Sequence, residues 1–114
     1  ASFQQLEAGQ ASAFVMDDAL LYGRRARASD PQQWIVGGTP LSSEAYACTM
    51  RRDDPDFKRL VDDAIAEIMT SGLALELYAK WFTRPVPPQE INLNWPISDR
   101  LIQLFAAPND RPFE

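Results

Sequence analysis

The sequence predicts an α/β chain with at least some parallel strand pairing, and three observations carry that reading. Short apolar runs of β-type residues alternate with helical patterns, each helical pattern begins at a capping residue, and the breaks between them fall at glycine and proline. Three strands make a small sheet, however, and a core of this kind asks for more strands than 114 residues supply here.

The elements follow in order. Ser2 is positioned to cap a short helix with Phe3 and Leu6 on its apolar side, ended by Gly9. Residues 11–16 (ASAFVM) form an apolar run bounded by Gly9 and Asp17, which at that length reads as a buried strand. Asp17 or Asp18 caps the next helix, Leu20 and Leu21 give it an apolar side, and it dissolves by Ser29-Asp30-Pro31. Residues 34–36 (WIV) read as a second strand closed by Gly37-Gly38, and residues 45–50 as a third.

The strongest periodicity comes next. Asp54 caps and Pro55 takes the first helical position. Phe57, Leu60, Val61, Ala64, Ile65, Ile68 and Met69 then recur at three- and four-residue steps until Gly72, as on a surface helix lying on a core. A further helix is expected over residues 73–82, with Ala74, Leu77, Tyr78 and Trp81 on one face. Pro85, Pro87 and Pro88 end it and favour an extended segment, and residues 91–96 are irregular or edge-like. Ser98 caps a last helix bearing Leu101, Leu104 and Phe105, which stops at Pro108-Asn109-Asp110.

Composition narrows the function. A net charge of −5 works against nucleic acid as a partner. The compact basic group Arg24, Arg25 and Arg27 reads as a solvated helix face, as do Lys58 and Arg59 among Asp62, Asp63 and Glu67. The chain has no histidine, which removes Ser-His and Cys-His nucleophiles and the usual metal sites. Gly37-Gly38-Thr39 lacks the spacing and the lysine of a phosphate loop and reads as a turn. Cys48, the one cysteine, is expected to be a buried, inert thiol, with pairing to a cysteine outside this chain as the alternative. No run approaches the length of a membrane span, and no leader stands at the N-terminus, so any export signal of a parent protein is expected upstream of Ala1.

Of three adjacent acidic pairs, Asp62-Asp63 reads as a solvated face and Asp53-Asp54 as capping in the field of the helix dipole. Neighbouring carboxylates on a helix diverge by about 100° and do not share a proton, so catalysis by such a pair is not expected. Asp17 differs because it follows an apolar strand directly, the position where open α/β sheets bind ligands. It is a candidate for receiving a ligand ammonium and equally a plain N-cap; if it faces a cleft, Asp18 can cap instead. Trp34, Trp81, Phe82 and Trp95 could form a stacking set, but they sit in different elements without common spacing, and core packing explains them better.

Several ordered segments together resemble a known family: AFVMDDALL from Ala13, GTPLSSEAYAC from Gly38, RRDDPDFK from Arg51, and KWF through PVPP from Lys80. They resemble the C-terminal portion of glutamate/aspartate-type solute-binding proteins of ABC importers. The resemblance covers essentially the whole chain, and the PVPP segment with the Pro108-Asn109-Asp110 ending narrows it toward the glutamate/aspartate branch.

It implies a type II periplasmic binding protein-like fold, incomplete and holding parts of two lobes. Residues 1–38 would be the C-terminal piece of the second lobe, 39–44 the hinge crossing, and 45–114 the C-terminal piece of the first lobe. It also implies a periplasmic, non-enzymatic protein without cofactors, binding glutamate or aspartate between its lobes and serving a membrane permease. In that family the aspartate after the second-lobe strand holds the ligand's α-ammonium, and it falls on Asp17. The groups that hold the α-carboxylate lie in a part this sequence does not contain. Uncovered strand edges would lead the chain to self-associate or swap elements. A sensory module of the same fold and, more remotely, a periplasmic dehydratase are the alternatives.

Overall fold

A computed structural model describes residues 2–111. Five α-helices are present among the described residues: α1 (Ser2–Glu7), α2 (Asp18–Ala26), α3 (Pro55–Thr70), α4 (Leu73–Tyr78) and α5 (Asp99–Ala106). The chain divides into two compact units, each discontinuous in sequence. The first comprises Ala1–Gly38 and Trp81–Trp95, the second Thr39–Lys80 and Pro96–Glu114.

In the first unit, α1 begins at Ser2 itself, so Ser2 is the first helical residue and not the cap the sequence suggested. The helix ends as expected, in a Schellman motif. Gly9 takes a φ of 69°, its N–H donates to the Leu6 carbonyl at 3.0 Å, and the Gln10 N–H donates to Gln5 at 2.8 Å. Helix α2 stops at Ala26, and a 3₁₀ turn, Pro31–Gln33, follows it. Asp30 caps that turn by accepting from the Gln32 N–H at 3.2 Å and from Gln33 Nε2 at 3.0 Å.

The proline-rich segment is not extended as predicted. It folds back on itself: the Val86 N–H donates to the Ile91 carbonyl at 3.0 Å, and residues 87–90 form the turn between them. A cis Pro87–Pro88 peptide and Glu90, with a φ of 52°, lie within that turn.

In the second unit, α3 packs against α4 and α5. Its ends are those the sequence specified. Asp54 Oδ1 accepts from the Phe57 N–H at 3.2 Å, Pro55 needs no intrahelical partner for its nitrogen, and Gly72, with a φ of 90°, ends the run and opens α4. Helix α4 stops at Tyr78, and the expected continuation to Phe82 becomes a five-residue π-turn, Ala79–Thr83. Ser98 Oγ caps α5 by accepting from the Leu101 N–H at 3.2 Å.

The three predicted strands are corrected. No strand forms among the described residues, and residues 11–16, 34–36 and 45–50 run without a ladder partner. Trp34 has extended dihedrals (φ −114°, ψ 132°), yet Ile35 is 92% exposed and Tyr46 98%. Side chains that suit a pleated surface do not make a strand alone, because the stabilising hydrogen bonds come from a neighbour about 4.8 Å away. Cys48 shares this outcome, being exposed with a free thiol where burial was expected. Nor does α3 cover a dry core. Its Leu60 is 64% exposed, and Ala74 of α4, at 9%, is the one buried apolar residue among those described.

Candidate solute-binding site

Asp17 stands immediately before α2. Its backbone (φ −54°, ψ 137°) places it outside the helix, while its carbonyl accepts from the N–H groups of Leu20 and Leu21, both at 3.0 Å. Its carboxylate makes no capping bond and is exposed. Asp18 Oδ1 instead accepts from the Ala19 N–H at 2.8 Å. Of the two roles open to Asp17 in the sequence, the side chain has not taken the capping one. The carboxylate is therefore uncommitted, at the N-terminal end of α2.

Helix α2 is held from the side by the returning segment Trp81–Trp95. Trp95 stacks on Tyr22 with ring centroids 5.3 Å apart and planes 14° from parallel. Phe82 meets Trp95 edge-on at 5.2 Å, and the Trp95 N–H donates to the Phe82 carbonyl at 3.0 Å, which joins the two ends of the segment. The Arg25 guanidinium lies 4.9 Å from the Tyr22 centroid and donates to the Leu93 carbonyl at 3.4 Å. Asn92 Nδ2 donates to the Thr83 carbonyl at 2.9 Å and ties the loop across its middle.

The aromatic residues named in the sequence thus divide. Trp95 and Phe82 pack on α2, and Trp34 packs edge-on against Phe3 at 5.6 Å. Trp81, 47% exposed, lines a cavity of about 400 Å³ together with Arg27, Phe82 and the proline turn. A second cavity of about 440 Å³ lies between Arg25, Trp34 and Asn94. Asp17 lines neither. Arg25, expected on a solvated face, is instead part-buried. The sequence does not single out Tyr22; its place four residues after Asp18, on the same helix face, is the available signal.

In the second unit the charged groups form a clip. Lys58 Nζ donates to Asp62 and, at 2.9 Å, to Asp110. The hydrogen bond to Asp62, then that to Asp110, raises the lysine pKa, and the hydrogen bond from Lys58 lowers that of Asp110. Among the described residues no cluster of His, Cys, Asp and Glu could hold a metal ion, and no helix is long and apolar enough to cross a membrane.

No protein-family model matches the chain. Individual proteins do. It is 52% identical over 110 residues to the glutamate/aspartate import solute-binding protein of Escherichia coli K12, covering 96% of this chain and 36% of that protein. It is 51% identical over 113 residues to the L-glutamate/L-aspartate-binding protein of Pseudomonas aeruginosa, covering 99% and 37%. A more distant relative is an ABC transporter glutamine-binding protein of Bacillus subtilis, 25% identical over 80 residues, 70% of this chain and 28% of that protein. The chain therefore spans little more than a third of the length of these two glutamate/aspartate-binding relatives. Agreement at about every second residue along nearly its whole length places the chain, as a part-length relative, in the family of glutamate/aspartate solute-binding proteins.

Proposed function

We propose that this chain is part of the substrate-binding component of an amino-acid ABC importer, which holds glutamate or aspartate in a cleft between two lobes of a type II binding-protein fold. The observation that carries the reading is the 51–52% identity over 96–99% of the chain to proteins named for glutamate and aspartate binding. The protein would act in the periplasm, bind without catalysing a reaction, and pass its ligand to a membrane permease. Residues 1–38 would belong to the second lobe, 39–44 to the hinge crossing and 45–114 to the first lobe.

In this mechanism the ligand shifts a population from open to closed, since only the closed form lets both lobes contact it. Asp17 would supply the carboxylate for the ligand's α-ammonium. Its support is physical: the side chain is uncommitted, while Asp18 serves the helix. The experiment is calorimetric titration of the full-length protein with glutamate and aspartate. Asp17→Ala is expected to lose roughly 2–4 kcal/mol of binding, the scale for removing one partner of a desolvated charge pair. A loss below about 0.5 kcal/mol would place Asp17 outside the site. The 114-residue chain alone is expected to bind either ligand far more weakly, because it offers one of several ligand-holding groups.

A further inference from the structure

Helix α2 has nine residues and buries none of them. Helices this short do not persist alone in water, so something outside the helix holds it in place. The N-terminal cap does little, since Asp17 makes no side-chain bond to the first amides. The lateral contacts remain: Trp95 stacked on Tyr22 at 5.3 Å, and Arg25 bonded to Leu93 at 3.4 Å. Trp95 is itself fixed by Phe82, through both ring and backbone.

Tyr22 lies about one helical turn beyond Asp18. Between them, the N–H groups of Leu20 and Leu21 bond to the Asp17 carbonyl. Whatever fixes Tyr22 therefore fixes the Asp17 backbone through a single turn. We infer that Trp95 is a positioning residue for the Asp17 carboxylate: stacked on Tyr22, it holds the first turn of α2 so that Asp17 stands ready for the ligand ammonium. Residues that never touch the ligand would then set part of its affinity. The inference rests on the reading of Asp17 given above.

The test is a double-mutant cycle in the full-length protein, with glutamate affinity measured by calorimetry and amide exchange measured at Leu20 and Leu21 in the ligand-free state. Trp95→Ala is expected to weaken glutamate binding about tenfold, the scale of one aromatic pair, with Trp95→Phe restoring most of the loss. In an Asp17→Asn background the same substitution should change affinity little, because the contact it acts through is already gone. Equal losses in the two backgrounds would show an effect that bypasses Asp17 and would overturn the inference. So would unchanged exchange at Leu20 and Leu21. Tyr22→Leu removes the stack from the helix side and gives the same comparison should Trp95→Ala fail to fold. Normal glutamate binding by Asp17→Asn would overturn the reading of Asp17, and faster exchange in Trp95→Ala would still identify the clasp apart from that failure.

Discussion

Helices α2 and α3 are built by opposite means. Helix α3 carries its own instructions: sixteen residues, an aspartate cap, a proline at the first position and a glycine stop, all within its own stretch of chain. Helix α2 has nine residues and no side-chain bond from its cap residue, and it is held by Trp95 and Leu93, the latter in a contact spanning 68 residues of sequence. The lesson is that a long helix with its own cap and stop can stand with much of its apolar face exposed, while a short one without a side-chain cap relies on contacts from residues far along the chain. The helix that relies on distant contacts is also the one that the candidate ligand residue, Asp17, immediately precedes.

The contrast can be broken or sharpened by substitution. The largest effect is expected inside α4. Ala74→Leu places three more carbons at the one buried apolar position among the described residues and should cost about 1–3 kcal/mol in chemical denaturation. A neutral result would mean that the packing around Ala74 is loose.

Removing the local instruction of α3 comes next. Asp54→Ala deletes the bond to the Phe57 N–H and the 2.7 Å ion pair with Arg51, and should cost roughly 1 kcal/mol, with a loss of helical circular dichroism. The matching change at the head of α2, Asp17→Ala, should leave stability within about 0.5 kcal/mol, because no capping bond is lost. Equal costs at the two positions would erase the distinction between these helices. Leu60→Ala, at an exposed position of α3, should likewise fall below about 1 kcal/mol, against the 2–5 typical of a buried leucine.

The smallest effect belongs to the Lys58 clip, which lies at an exposed surface and is screened by salt. The Asp110 pKa is lowered, so its contribution is present above the ordinary carboxylate range and fades as pH falls through the lowered value. The Lys58 pKa is raised, so its contribution is present below the ordinary lysine range and fades as pH rises through the raised value. Holding of Asp110 against α3 should therefore persist across the neutral range and weaken at both extremes. Chemical shifts of Lys58 and Asp110 followed against pH would show it, and a flat response through the acid limb would remove the clip.

Legibility followed the range of each interaction. The caps at Asp54 and Ser98 and the stops at Gly9 and Gly72 were readable because each involves groups only a few residues apart. The strands expected at residues 11–16, 34–36 and 45–50 do not form, because apolar composition records how a side chain would pack and no second strand meets them among the described residues. Cys48 is exposed for the same reason. At the site, Asp17 was legible as a residue between two elements. Tyr22, Arg25 and Trp95 were not legible as a group, since no spacing rule links position 22 to position 95.

By itself the sequence determined the caps of α3 and α5, the glycine stops after α1 and α3, the lack of histidine in these 114 residues and the likeness to glutamate/aspartate-binding proteins. Only the tertiary structure decided that the proline segment turns back onto α2 and that Trp95 stacks on Tyr22. The physical reason is the range of the forces involved. Capping bonds and backbone propensities act within about one turn, whereas stacking and ladder pairing exist only once distant parts of the chain have met.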